Sequence, residues 1–405
     1  MFLPVSRRTV SLYPGEWRDI AKRVVSGSLV RGEFEEEFSE RFGRYVGAGH
    51  AVPTGTGRFA LSAILKACRI PAGAEVILPA YEDLSVPVEV AALGLVPVFV
   101  DVSPATQGVL VQDVLARVTD KTRAVVVAHL FGIPSDVPGL ARALAGRGIR
   151  IIEDCAHAVG TRRDGEHVGR VGDAAFFSFH STKPFMTFGG GMAVTRDPEL
   201  ARRIVAIVEA APYPSAADIL LRIASTYLLA AAVRPPVFPL AVFPLLLLLD
   251  LLGVEPAAVY DRLFRKPVSA ARTDVRLANV QAMVGVRGLD RLEAGLGLRR
   301  ANGLTLDAIL GPGVPRPVYG DGGNRYFNVI FSQDMQGLRS RLLRRGVDTG
   351  HGLMRHCPAS LGMDPAAFPN TLRMLEASLQ IPGHEAVRPA VMERIARIVR
   401  KEAAS

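Results

Sequence analysis

Apolar residues recur at helical spacing among charges over residues 15–45, and near the end of that stretch Phe34, Phe38 and Phe42 fall four apart. The spacing predicts an amphipathic helix with a solvated acidic side. From about residue 50 to 200 the pattern changes. Short runs rich in Val and Ile, AEVILPA, LVPVFVDV, TRAVVVAHL, IRIIEDCA, AAFFSFH and GMAVT, alternate with longer helical stretches. Strands apolar on both faces and separated by helices predict an α/β fold, a three-layer sandwich around a mostly parallel sheet. Ligand-binding groups should then gather beyond the carboxyl ends of the strands.

After residue 270 the chain reads as a helix, VRLANVQAMVGVRGLDRLEAGLGLRRANG, then short strands and a last amphipathic helix, MERIARIVRKEA. These form a smaller C-terminal α+β domain. The expected division is a large domain over 1–209 with its N-terminal helix, an apolar insert over 210–266, and the smaller domain over 267–405. A chain of 405 residues is long enough for this arrangement.

Residues 213–265 carry IASTYLLAAAV and PPVFPLAVFPLLLLL, interrupted by Arg234 and Asp250 before either run reaches the roughly 18–20 residues that span a bilayer. Pro235, Pro236, Pro239 and Pro244 break any continuous helix there. Arg222, Arg234, Arg262, Arg265 and Lys266 flank the apolar stretches. The expectation is a helical hairpin-like insert lying on the inner face of the cytoplasmic membrane without crossing it. Packing on a partner subunit is the alternative.

Composition adds limits. The 48 Lys and Arg outnumber the 39 Asp and Glu, giving a formal charge of +9, but the arginines are scattered rather than striped, so no nucleic-acid partner is expected. Cys68, Cys155 and Cys357 show no CxxC spacing and suit a reducing compartment. The N-terminus has two arginines but no following apolar core or cleavage site, so the chain is expected in the cytoplasm.

The block 151–195 carries the chemistry. Asp154 closes an apolar strand, where a buried carboxylate can stay ionised against a ring nitrogen, and His157 follows three residues later. Lys183 follows a second strand in a turn with Ser178, Ser181 and Thr182 as hydroxyl donors, and Gly189-Gly190-Gly191 permits close backbone approach. A lysine, a carboxylate and phosphate donors are what pyridoxal 5'-phosphate (PLP) chemistry requires. Read alone, Asp154 also suits a helix cap, His157 a packing role, and Cys155 a small buried hydrophobe.

With Glu153-Asp154-x-Ala-His157 followed by Phe177-Ser178-Phe179-x-x-x-Lys183, the sequence resembles the DegT/StrS-type sugar aminotransferases of PLP fold type I. The resemblance spans the chain apart from about 210–265. It implies PLP as cofactor, Lys183 as Schiff-base lysine and proton carrier, Asp154 paired with the pyridinium, His157 near the ring and Ser178 on the phosphate. Thr54-Gly55-Thr56-Gly57 matches the family's phosphate-binding turn, which makes Gly55 and Thr56 cofactor contacts. Tyr81 lies near the family's ring-stacking aromatic, and the family position itself falls nearer Asp83. Arg276, in Asp274-Val275-Arg276, stands for the Asn-x-Arg motif that reaches the cofactor phosphate from the neighbouring subunit, with an aspartate that would repel it. The turn after the lysine reads Phe188-Gly189-Gly190-Gly191, without the family's carboxylate.

The implied activity is amino transfer, with L-glutamate as donor, to a keto sugar carried on a nucleotide, in a homodimer with shared sites. A lipid-linked or membrane-delivered carbonyl acceptor is the alternative, as is a non-catalytic membrane-associated homologue.

Overall fold

The computed structural model describes residues 3–254 and 274–403. Seven strands form the central sheet: β1 (His50–Thr54), β2 (Glu75–Pro79), β3 (Val96–Val100), β4 (Thr122–Ala128), β5 (Arg150–Asp154), β6 (Ala174–Ser178) and β7 (Gly191–Thr195). Their spatial order is β1-β7-β6-β5-β4-β2-β3. Only β7 runs against its neighbours; β6, β5, β4, β2 and β3 pair in parallel. The sheet is the mostly parallel one expected from the sequence. β1, absent from that expectation, has an edge position paired only with β7, which is why it tolerates Pro53.

Alternation along the strands divides the core. Val76, Leu78, Ala124 and Val126 face the helix Gly57–Ala67 on one side, and Ile77, Val125 and Val127 join a second cluster on the other. The N-terminal region holds two helices, Glu16–Val25 and Phe34–Val46, instead of the single one expected over 15–45. The break falls where Gly27 takes a φ of +71°, a left-handed conformation that glycine adopts without strain. Phe38 and Phe42 are fully buried and meet Phe179 and Phe185, so the face seen in the sequence packs beside the lysine turn.

The helix Asn279–Leu310 ties the two lobes together. Its first half packs with Phe38 and Phe42 through Ala282, Val286 and Leu292, and its last turns enter a separate cluster with Ile330, Leu338 and Ile395. That second cluster belongs to the smaller α+β lobe, with an antiparallel pair of strands, Asn328–Phe331 and Ser378–Ile381, and the helices Met335–Arg344 and Pro389–Ala403.

Within the insert, the helix Ala216–Ala232 buries Ile219 and Ile223 against Ile20 and Phe188, and the helix Phe243–Leu251 sets Phe243 against Leu343 of the smaller lobe. Residues 255–265 of that stretch, with Arg262 and Arg265, and Lys266 lie outside the described residues. No helix among the described residues is long and apolar enough to cross a membrane.

Candidate active site

The carboxyl ends of β2, β4, β5 and β6 open into a cavity of about 920 Å3, within the roughly 300–1,000 Å3 of small-molecule sites. Asp154, His157, Ser178 and Lys183 all line it.

Asp154 ends β5 and is buried, with Oδ1 accepting the Ala156 N–H at 2.8 Å. Burial pushes its carboxyl up to about 6, against the pull of that hydrogen bond and of Lys183. His157 is buried against Tyr326, ring centres 4.8 Å apart, and its Nδ1 accepts the Phe131 N–H at 3.3 Å. Burial and the nearby Lys183 charge hold His157 well below the usual histidine range, so it is a neutral ring at pH 7. Lys183 sits in a turn closed by its own N–H to the His180 carbonyl, and its ammonium lies 5.2 Å from the Tyr326 ring centre.

The helix Gly57–Ala67 points its N-terminus into the same cavity, where Gly57 and Arg58 form part of the wall. A Cβ on Gly57 would come within 2.9 Å of the Ser178 Cβ, so only glycine lets the helix end close on Ser178. Gly191 answers it, since a Cβ there would meet the Gly57 nitrogen at 2.5 Å. The first N–H groups of a helix, which have no partner within the helix, make with a neighbouring hydroxyl a cradle for a phosphate dianion. The residues present therefore fit PLP: an amine, a buried carboxyl and an anion cradle share one cavity.

The other expected contacts lie elsewhere. Gly55 and Thr56 do not line the cavity; Gly55 donates its N–H to the Val275 carbonyl at 2.8 Å, and the Thr56 hydroxyl caps the helix by accepting the Phe59 N–H at 3.0 Å. The next two residues take the place expected of them. Tyr81 is core: its ring packs with Ile77 and Val127, its hydroxyl lies 3.4 Å from the Ser378 Oγ, and burial pushes it up to about 12. Glu82 and Asp83 form the wall there instead. Arg276 is outside its own chain's cavity, bonded to Glu35 at 3.2 Å and stacked on Tyr213 at 4.5 Å. Asp274 is paired with Lys66 at 3.6 Å, which offsets the repulsion expected of it.

Several wall residues carried no recognisable signal. Tyr326 and Arg355 come from the smaller lobe, and Arg7 and Arg8 from the N-terminal segment, where the arginine pair was legible only as charge. His129 also faces the cavity, but its Nε2 is bonded to Glu153 at 2.9 Å and its Nδ1 accepts the Ser135 N–H. Glu153 in turn accepts from the N–H groups of Gly169, Val171 and Gly172, so this pair braces the loop after β5. Cys155 beside it is fully buried, and burial pushes its thiol up.

Residues 15–214 match the model of the DegT/DnrJ/EryC1/StrS aminotransferase family. The chain is 35% identical over 186 residues to a UDP-N-acetyl-3-dehydro-alpha-D-glucosamine 3-aminotransferase of Acidithiobacillus ferrooxidans, covering 46% of this chain and 50% of that protein. It is 39% identical over 170 residues to an L-glutamine:2-deoxy-scyllo-inosose aminotransferase of Streptomyces fradiae, covering 42% and 40%. The chain thus spans about half, or less, of the length of these relatives. The crystal structure of an aminotransferase, TlmJ, from Streptoalloteichus hindustanus superimposes with a TM-score of 0.78 at 25% identity, covering 99% of both chains.

Proposed function

We propose, from the premise that residues 15–214 place this chain in the DegT/DnrJ/EryC1/StrS aminotransferase family, that it is a PLP-dependent aminotransferase acting on a keto sugar. The observation that carries this is the convergence of Lys183, Asp154, His157 and Ser178 on one cavity with the helix N-terminus at Gly57. Lys183 Nζ holds the cofactor and moves the proton at the substrate carbon. Asp154 keeps a carboxylate against the ring nitrogen, and His157 packs as a neutral ring beside Tyr326. Ser178 and the N–H groups of Gly57 and Arg58 hold the phosphate. PLP supplies the electron sink that lets a C–H bond beside nitrogen break. The donor is an amino acid of the glutamate type, L-glutamate or L-glutamine, the second being the donor in one relative's name. Two relatives named for sugar or cyclitol ketones support a keto-sugar acceptor, nucleotide-linked as in the name of the A. ferrooxidans protein.

The test is direct. The purified chain with PLP should absorb in the visible, L-glutamate should bleach the band, and Lys183→Ala should abolish it. A chain that takes up no PLP overturns the reading.

The proposal includes a homodimer with shared sites. Arg276 lies outside its own cavity, so any contact it makes with a cofactor phosphate has to be with the other subunit's. Mixed dimers of Lys183→Ala and Arg276→Ala should regain activity that neither variant has alone.

It also includes contact of the insert with a membrane surface, in a protein of the cytoplasm. Ten large apolar side chains between Leu220 and Val254 are exposed, Leu228 and Leu240 by about three quarters. Asp250, in the middle of the leucine run, is buried and anchored to Arg339 and Ser340 of the smaller lobe. That anchor favours a segment lying along a surface over one entering a bilayer.

A further inference from the structure

Two buried carboxyl groups line the cavity that Lys183 also lines. Besides Asp154 there is Glu82, 2% exposed, on a two-residue strand that pairs with Arg355–His356 of the smaller lobe. Its backbone is fixed from that side. Cys357 donates its N–H to the Ala80 carbonyl at 2.9 Å and its thiol to the Glu82 carbonyl at 3.4 Å. The Glu82 side chain accepts the Asp83 N–H through Oε1 at 2.7 Å, while its buried Oε2 has no hydrogen-bond partner.

The groups that bear on Glu82 are Asp154 from β5, Asp83 beside it in the chain, Lys183 after β6 and the Cys357 thiol. The Cys357 thiol is itself raised by burial and stays neutral. The guanidinium groups of Arg355, paired across the strand from Glu82, and of Arg7, Arg8 and Arg58 also line the cavity, yet none of them bonds the Glu82 Oε2. Asp83 is half-buried and its charge reaches water; Glu82 and Asp154 do not share that relief. Burying a second carboxylate with an unpartnered oxygen costs far more than burying the acid. A proton on Glu82 Oε2 breaks no existing bond. Burial first, and then Asp154, push Glu82 well above the usual carboxylate range.

We propose that Glu82 is a positioning residue of the transfer reaction, carrying a proton at neutral pH and so leaving Asp154 as the single buried carboxylate facing Lys183. The role rests on the aminotransferase reading, but the proton itself does not. Glu82 acts through Asp154: were both ionised, the two carboxylates would repel, and Asp154 would be displaced from where it would meet a cofactor's ring nitrogen.

The experiment uses infrared difference spectra of the full chain without cofactor. At pH 7 the wild type should show a protonated carboxylic-acid C=O band that Glu82→Gln lacks. In Asp154→Asn the like-charged neighbour is gone, and the band should titrate at a pH about one unit lower than in the wild type. A Glu82 whose band ignored Asp154→Asn would have no means of acting through Asp154. Absence of the acid band at pH 7, or a band indifferent to Asp154→Asn, overturns the proposal; the second arm decides even where Glu82→Gln does not fold. With PLP added, the pH curve of visible absorbance should superimpose for wild type and Glu82→Gln at neutral pH, and a displaced curve also overturns it. A chain with the coupled infrared band that takes up no PLP removes the transfer reading alone.

Discussion

The ammonium of Lys183 lies 5.2 Å from the centre of the Tyr326 ring, so a cation from the sheet domain rests beside an aromatic ring of the smaller lobe. The same ring stands 4.8 Å from His157. Tyr326 therefore holds two expected site residues in place from a third segment of the chain. A cation–π contact in a partly dry site is worth about 0.5–2 kcal/mol. Tyr326→Leu should lower kcat/KM for amino transfer by roughly two- to thirty-fold, whereas Tyr326→Phe, which keeps the ring, should stay within about two-fold. Initial rates of the three proteins check this.

The proposed function gives Ser178 and Asp154 different roles. Ser178→Ala removes a hydroxyl from the anion cradle beside Gly57, and a charge-assisted hydrogen bond is worth about 1.5–3 kcal/mol. PLP affinity should fall by roughly ten- to a hundred-fold, measured by dialysis and visible absorbance, with the fold intact. Asp154→Asn should keep the cofactor and slow transfer instead, because a neutral amide cannot hold the ring nitrogen protonated. Identical behaviour of the two variants would refute the division.

Glu16 gives a stability prediction with a definite sign. Buried at the start of the helix Glu16–Val25, it accepts from the Tyr227 hydroxyl at 3.2 Å, and burial pushes it up to about 7. A carboxyl raised by folding contributes stability that is complete below its unfolded value near 4.5 and is lost as pH rises through about 7. Glu16→Gln should therefore be nearly neutral at pH 5 and stabilising at pH 8, by on the order of 1–3 kcal/mol. Urea unfolding at the two pH values checks it, and equal effects at both would contradict the burial argument.

Much of the sheet was legible because its strands are buried on both faces, so Val76–Leu78 and Ala124–Val127 read as unbroken apolar runs. β1 escaped because an edge strand can carry Pro53. Of the site, Asp154, His157, Ser178 and Lys183 were visible since they cluster within one stretch of chain at strand ends. Tyr326, Arg355 and Glu82 were not. The first two reach the cavity only through tertiary folding, and Glu82 looks like any acidic loop residue until Arg355–His356 pairs over it. Tyr81 misled for a physical reason: a two-residue strand sends neighbours to opposite sides, so Tyr81 enters the core and Glu82 the cavity.

The Asp250 anchor is testable apart from lipid. Its Oδ1 accepts from Arg339 at 2.7 Å and Ser340 at 2.6 Å, with Arg344 at 3.8 Å from Oδ2. Asp250→Ala leaves the nearly buried Arg339 uncompensated, a loss of about 3–5 kcal/mol for a buried pair. Limited proteolysis should then cut between residues 233 and 254 several-fold faster than in the wild type, with cutting elsewhere unchanged.

The membrane proposal turns on what covers the exposed leucines. Leu221 and Leu228 lie on the helix Ala216–Ala232, and Leu245, Leu248 and Leu251 on the helix after the prolines, all exposed. Burying such side chains in lipid would contribute about 25 cal/mol per Å2, and the exposed Arg234, whose guanidinium donates to the Val10 carbonyl, would add attraction to anionic head groups of about 1 kcal/mol. The helices are too short and too firmly packed through Ile219, Ile223 and Phe243 to cross, so the apolar term is that of one face only. Flotation with anionic vesicles should therefore carry the protein upward at low salt and less at high salt, since only the head-group part is screened. Trp17, the single tryptophan, is exposed on the helix whose Ile20 packs on the insert, and its emission should shift to the blue on binding. Replacing Leu228, Leu240 and Leu248 together by Glu should leave the protein at the bottom of the gradient while preserving its PLP spectrum. If the unaltered protein stays at the bottom at both salts and sediments as a dimer, the leucines serve a subunit contact; the same triple replacement would then yield monomers, which sedimentation would reveal.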